Sequence, residues 1–391
     1  MRRFLTVLLL AVFTVPLAAV KLEFKDPVGR KYRIKSLITQ KVYYKNKNMG
    51  TQETMFKSVM EVVDVNGKTA HYVGKYFDFS KKEDYHESYK LENSYEVTEF
   101  YKNNLGVMTV PPQFLMPTLR SVPTFPSYDV APGATWKSKA EEIIVGSASN
   151  TIHVDMDVSY KFVGMVTNSG KKLALLLIDY HIAHHPDNDP ELASFTGYSH
   201  IDYLWNVELG APDSYTDEFN FTFTYKNGDT WRIEGGSEAL VETVEDVTNI
   251  EKQKLVTEIA DNLKNKPGAD IKTTDDGIIV NLGMILFDID KATLKPESKA
   301  ILDKLAEVLR KYPGLDIEVS GHTDISGQEK WNQTLSEMRA KTVADYLVVK
   351  GISPERISYI GYGSKKPVAP NNTEEGRILN RRVEIKIITK E

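Results

Sequence analysis

Between Lys21 and Val247 apolar and polar residues alternate with a period of two, a habit that excludes most helical folds for this part of the chain. Runs such as Tyr32-Arg33-Ile34-Lys35-Ser36-Leu37-Ile38, Phe219-Asn220-Phe221-Thr222-Phe223-Thr224-Tyr225 and Trp231-Arg232-Ile233-Glu234 are rich in β-branched and aromatic residues. Asn66-Gly67, Asn168-Ser169-Gly170 and Asn227-Gly228-Asp229 punctuate them. An Asn-Gly pair suits a type I′ hairpin turn, in which both central residues take positive φ. The pattern predicts an all-β N-terminal region over residues 20–247, a sandwich or barrel, with Leu173–Ile178 as a strand buried on both faces.

Six prolines between Pro111 and Pro132 interrupt the alternation. Proline cannot donate to a sheet ladder, so residues 111–132 read as an ordered crossover or as a seam between two β subdomains. A membrane-spanning strand keeps one face apolar. In Met55–Val65, Lys57 and Glu61 share a face with Val59 and Val63, while Asp64 shares the other with Phe56, Met60 and Val62. The soluble periplasmic reading is therefore preferred, with an outer-membrane barrel as its alternative.

Met1-Arg2-Arg3, the apolar stretch Phe4–Val15 and the small residues after Pro16 read as a signal peptide over residues 1–19. That stretch falls short of the ~20 residues a spanning helix needs. With no cysteine among 391 residues, disulfides, thiolate metal sites, a cysteine nucleophile and a lipidated cysteine are all excluded. A net charge of -5 argues against a chain-wide nucleic-acid footprint. His181, His184 and His185, with Asp187 and Asp189 beyond, read as a solvated loop closed by Pro186 and Pro190 rather than as metal ligands. No cofactor fingerprint and no nucleophilic triad spacing are present, so no enzyme is expected.

Past Gly235-Gly236 the period changes. Ile250, Leu255, Val256, Ile259 and Leu263 recur at about 3.6 residues, and Lys266-Pro267-Gly268 stops the run, giving a helical linker over residues 248–268. Residues 269–391 then predict an α+β domain of βαβαββ order, a mixed sheet with helices on one face. A strand pair from Asp270 to Leu282 around Asp275-Asp276-Gly277 opens it; the later strands are Ile285–Asp290, Leu315–Val319, Ile357–Gly361 and Arg382–Ile388, and the second helix runs from about Glu329 to Lys350.

Gly321-His322-Thr323-Asp324 follows the carboxyl end of a strand, where open sheets bind ligands. On the helix that follows, Asn332, Ser336 and Arg339 are spaced i, i+4, i+7 on one face. Asp324 and Arg339 can therefore converge, either as a structural salt bridge or as a receptor for a zwitterion, ammonium against Asp324 and carboxylate forked onto Arg339.

The residues Gly321-His322-Thr323-Asp324, Gly327, Asn332, Leu335-Ser336, Arg339-Ala340, Val343, Tyr346-Leu347, Gly351, Arg356, Gly361-Tyr362-Gly363, Pro367, Asn371, Thr373, Gly376-Arg377 and Asn380-Arg381-Arg382-Val383-Glu384 stand in one register. In this the segment from about Asp270 onward resembles the OmpA-like C-terminal domain. The resemblance implies non-covalent binding of peptidoglycan through the diamino acid of its stem peptide, usually diaminopimelate. It places the acid of that site at Asp324, the arginine at Arg339 and a pocket leucine at Leu335. The loop after the Phe-Asp strand corresponds to Ile289-Asp290, where several family members carry asparagine at the Asp290 position. Thr323 and Asn332 complete the expected ligand-binding set.

Arg377, Arg381 and Arg382 are read as structural, pairing with carboxylates and carbonyls at the sheet edge. From Arg339 onward eleven basic residues face six acidic ones, which favours an anionic polymer. Absence of cysteine separates the chain from the family's lipoproteins. The expected protein is a non-enzymatic cell-wall binder of the periplasm that tethers its β region, or the outer membrane, to peptidoglycan. Its N-terminal region could meet an envelope protein partner. A wall-anchored outer-membrane barrel and a lipid or ligand carrier are the alternatives.

Overall fold

The computed structural model describes residues 19–81, 88–145, 151–187, 189–264, 269–283, 287 and 291–390. The expected signal peptide (but for Ala19), Lys266-Pro267-Gly268 and all of the expected strand Ile285–Asp290 except Phe287 lie outside the described residues.

Twelve strands precede the first helix: β1 (Lys31–Tyr44), β2 (Lys47–Asn66), β3 (Thr69–Lys81), β4 (Tyr89–Asn103), β5 (Met108–Thr109), β6 (Leu119–Arg120), β7 (Thr135–Val145), β8 (Thr151–Asn168), β9 (Lys171–His184), β10 (Leu192–Asn206), β11 (Ala211–Tyr225) and β12 (Thr230–Val244). They pair antiparallel in the order β5-β4-β3-β2-β1-β12-β11-β10-β9-β8-β7-β6. Because β1 pairs with β12 along its whole length, the ladder runs unbroken past the proline-rich segment, which is a crossover within one sheet.

That crossover bridges the two ends of the sheet. Toward β4, Phe125 N donates to Leu105 O (2.8 Å) and Met108 N to Ser121 Oγ (3.0 Å). Toward β7, Ile143 N donates to Thr118 O (2.9 Å) and Trp136 Nε1 to Thr124 O (2.8 Å). Strands are about 4.8 Å apart, so β7 and β11 would stand roughly 19 Å apart in a flat sheet. Yet Ala140 of β7 is buried in the same core as Trp205 of β10, with Tyr215 and Phe221 of β11 packed against that core. The sheet is thus curled, its ends joined through prolines rather than by a ladder.

Alternation decides which face lies inside. Val154, Met156, Val158, Tyr160 and Phe162 of β8 are buried, while His153, Asp155 and Asp157 between them are exposed. Leu22, Phe24 and Phe125 fill the interior against Trp205, whose ring lies 4.8 Å from Phe24 and 4.7 Å from Phe125. Leu173–Ile178 is not buried on both faces: Leu175 and Leu177 are partly exposed, because the outer face of β9 is not covered there.

The Asn-Gly turns also differ from expectation. At Gly67 only the glycine takes positive φ, and in the longer loop after Tyr225 only Gly228 does. The paired positive φ values of a type I′ turn occur instead at Lys45–Asn46 (48° and 64°) and at Ser169–Gly170 (48° and 80°). Two residues join the strands in both, as Gly67-Lys68 also do between β2 and β3, where positive φ at the first of the two alone gives the sign pattern of a type II′ turn.

The second half comprises α1 (Asn249–Leu263), β13 (Ala269–Thr273), β14 (Gly277–Leu282), α2 (Pro296–Leu309), β15 (Ile317–Gly321), α3 (Glu329–Val349), β16 (Ile357–Gly361), α4 (Glu374–Asn380) and β17 (Val383–Ile388). The hairpin β13–β14 falls where the strand pair is expected, and the described elements after it depart from the expected βαβαββ in that α4 separates the last two strands. Strands run β13-β14-β17-β15-β16, with β15 and β16 parallel and the other pairs antiparallel, a mixed sheet. Ile278, Val280, Val319, Tyr359, Val383, Ile385 and Ile387 form its apolar face and share one core with residues of α1, α2 and α3.

A Thr248–Glu251 capping box starts α1. Leu255, Ile259 and Leu263 are buried in that core, whereas Ile250, 84% exposed, is off the stripe. Strand β16 also pairs parallel with β4 (Ser358↔Tyr89, Tyr359↔Lys90), so the two halves share a sheet edge.

Candidate functional site

The site lies where β15 ends and α3 begins to cross the sheet. Gly321 closes β15 because nothing larger fits: a Cβ there would stand 2.0 Å from Ser336 O. This close approach lays α3 on the sheet and brings its Asn332–Arg339 face beside the loop His322–Gly327. Ser336, fully buried, fixes the crossing by accepting from Gly363 N (2.9 Å) and donating to Gln333 O (2.9 Å).

The loop is tied to the helix through Asn332, whose Nδ2 donates to Asp324 O (3.3 Å) and Ser326 O (2.9 Å). Thr323 donates its hydroxyl to Asp324 O (2.9 Å), and its NH goes to Gly363 O (2.9 Å). Asp324 is 5% exposed. Burial opposes its ionisation, but the Ser326 NH (2.7 Å to Oδ1) and the Arg381 guanidinium on Oδ2 prevail and hold its carboxyl below the usual range.

Arg339 follows Asn332 by seven residues, about 10 Å along the helix axis. Its Nε donates to Lys291 O (3.0 Å), and its guanidinium lies 5.4 Å from the centroid of Phe287. Leu335, 5% exposed, sits between Asn332 and Arg339 on α3. Hydrogen bonds thus tie Thr323, Asp324 and Asn332 together, and Leu335 and Arg339 follow Asn332 along α3. Ile289 and Asp290 lie outside the described residues.

Arg377 pairs with Glu374, and Arg382 with Glu384 (2.6 Å) and the carbonyls of Asn380 and Lys366. Arg381 goes elsewhere: it joins Asp324 to Glu374 (2.8 Å to Oε1), inside the site. No spacing signal links positions 324 and 381; only the return of α4 past the end of β15 brings them together. Lys291 and Ser326 enter through backbone groups, which leave no trace in residue identity. Next to Asp324, His322 is pushed down to about 3 by burial and by the charges of Arg382 and Lys366, and its ring is neutral at pH 7.

Residues 286–381 match the OmpA family. The C-terminal third is an OmpA family domain. The chain is 46% identical over 103 residues to outer membrane porin F of Pseudomonas fluorescens, covering 26% of this chain and 32% of that protein. It is 50% identical over 102 residues to outer membrane protein A of Bordetella avium (26% and 53%). With the peptidoglycan-binding protein ArfA of Mycobacterium tuberculosis it shares 43% over 119 residues (30% and 36%). The match therefore spans a third to about half the length of these relatives, all of it in or next to the OmpA domain. The solved cell wall anchor of the T6SS from Pseudomonas aeruginosa is 30% identical, covering 36% of this chain and 100% of that one, with a TM-score of 0.33.

Proposed function

We propose that this chain is a non-enzymatic periplasmic protein that holds peptidoglycan through the OmpA domain and so tethers its β region to the cell wall. The observation that carries the reading is a buried, ionised Asp324 held by Asn332 at the start of α3, with Arg339 two helical turns beyond Asn332 and Leu335 between them. A stem-peptide diamino acid, diaminopimelate above all, fits that arrangement: its side-chain ammonium meets Asp324 and its carboxylate is forked by Arg339. Names of the relatives support it, since ArfA is described as peptidoglycan-binding and others as outer-membrane proteins. The excess of basic residues after Arg339 draws the anionic polymer. Each contact is modest, but a wall of repeated stem peptides gives rebinding at high effective concentration.

The β region supports the soluble form of this reading. A membrane barrel turns an apolar band outward. Here Val154, Met156 and Val158 of β8 and Ile201 and Tyr203 of β10 turn inward, and the outward positions of β8, β10 and β11 carry His153, Asp155, Asp157, His200, Asp202 and Glu218. An envelope protein partner is the expected occupant of that charged face.

Pull-down of the purified chain by isolated sacculi tests the proposal. Asp324→Ala and Arg339→Ala should each abolish retention while circular dichroism stays unchanged, because the remaining buried charge loses its ligand at a cost of several kcal/mol. Full retention of both variants would sink it.

A further inference from the structure

Arg381 reaches the site from the C-cap of α4. One edge of its guanidinium bonds Asp324 Oδ2, and the other donates to Glu374 Oε1 at 2.8 Å. The group is shared between a nearly buried carboxylate and an exposed one. The second oxygen of Asp324 is held by the Ser326 NH at 2.7 Å, and the Ser326 hydroxyl also bonds the carboxylate. A carboxylate offers about four lone-pair directions over its two oxygens. With a fixed donor on each oxygen, the carboxylate plane is set and the remaining directions point where they are needed without further ordering. Fixing a polar group before the ligand arrives removes an entropic cost from binding.

We infer that Arg381, braced by Glu374, is a positioning residue for cation recognition: it fixes Asp324 so that the free lone pairs meet the side-chain ammonium of a diamino-acid ligand. The inference rests on the peptidoglycan reading above. It makes a claim that a purely structural clamp does not. A clamp that merely holds the loop affects every ligand alike, whereas a positioning residue affects only ligands that carry the ammonium.

The test is isothermal titration of the full chain with meso-diaminopimelate and with pimelate, which keeps both carboxylates and lacks both ammonium groups. The parent should prefer the diamino acid by about tenfold, the size of one charge-assisted hydrogen bond. Arg381→Gln should reduce that preference to less than about threefold with pimelate affinity nearly unchanged, and Arg381→Lys, which keeps a cation, should retain most of it. Glu374 is exposed, so Glu374→Gln folds even if Arg381→Gln does not, and it should cut the preference about twofold. A parent without preference, a preference untouched by Arg381→Gln or Glu374→Gln, or tighter diaminopimelate binding by Arg381→Gln would overturn the inference. Parental sacculus binding by both Asp324→Ala and Arg339→Ala would instead overturn the peptidoglycan reading itself, whatever Arg381 does.

Discussion

The carboxylate of Asp316 lies 2.8 Å from the ammonium of Lys57, joining the OmpA domain to the outward face of the N-terminal sheet. Lys35 also reaches it at 2.6 Å, and Arg33, 3.9 Å away, donates to Gly314 O nearby. Burial opposes the charge on Asp316, but three cations outweigh it and hold the carboxyl down at about 2. Lys35 is itself pulled below its ordinary value by burial, against the pull of Asp316, so the net gain is smaller than the carboxylate alone indicates. Asp316→Asn leaves clustered buried cations and should cost about 3–5 kcal/mol in urea unfolding. The sign with pH follows from a depressed folded value: the contribution is complete above the ordinary carboxylate value of 3.8 and is lost as pH falls toward 2. An equal urea midpoint for variant and parent at pH 7 would exclude this account.

Gly321→Ala should damage both fold and site. The glycine is needed for space, since its added Cβ would meet the Ser336 carbonyl at 2.0 Å, and Gly361 would meet Glu337 N at 2.5 Å in the same way. Backbone cannot yield there without lifting α3, and overpacking of this kind costs about 1–3 kcal/mol or more. The expected outcome is a lowered melting temperature with sacculus binding lost before unfolding, because Asn332 and Arg339 move with the helix. A variant that binds sacculi as the parent does would show that the crossing can relax.

Where chemistry is local, the sequence is legible: alternation over β8, the Pro296 start of α2 and the stop of α3 at Gly351 (φ 90°) can all be read from neighbouring residues. The approach of Asn332 to the Asp324 loop is legible for the same reason, through a helix that follows a strand end. The closure of the curled sheet is not. It depends on backbone groups of residues 111–132 meeting strands at both ends, and hydrogen bonds to backbone carry no residue signature. Nor is the partner of Asp324, since Arg381 arrives through the path of α4. Lys57 looked like evidence against a membrane strand; its place opposite Asp316, on the far side of the chain, gives it a use that alternation alone does not reveal.

Helix α1 belongs to the core of the OmpA domain in energetic terms. Ile259 is fully buried among residues of α2 and the sheet, and Lys311 and Tyr312 (2.9 Å) bond Glu258 beside it. Ile259→Ala should therefore cost about 2–5 kcal/mol, with Ile250→Ala, at an exposed position, near zero. Equal effects of the two substitutions on thermal unfolding would contradict the packing.

His322 should make the domain lose stability in weak acid. Its ring is 2% exposed, and its Nδ1 has no partner among the described residues. Burial first, then Arg382 and Lys366, lower it from 6.5 to about 3. A folded value below the unfolded one means that the unfolded chain binds the proton first, so stability is complete above about 6.5 and falls as pH drops toward 3. The slope approaches about 1.4 kcal/mol per pH unit. Glu142 and Asp217 act in the opposite sense: burial raises them to about 7 and about 6, so protonation as pH falls relieves a cost in the N-terminal sheet. The total curve mixes both effects, and the difference between the parent and His322→Asn isolates one. That difference, measured by urea unfolding between pH 7 and 5, should shrink steadily as the pH is lowered, and the His322 ring resonances should not shift over the same range. A ring that titrates near 6.5 would show that the imidazole is hydrated and that its neutrality plays no part in the fold.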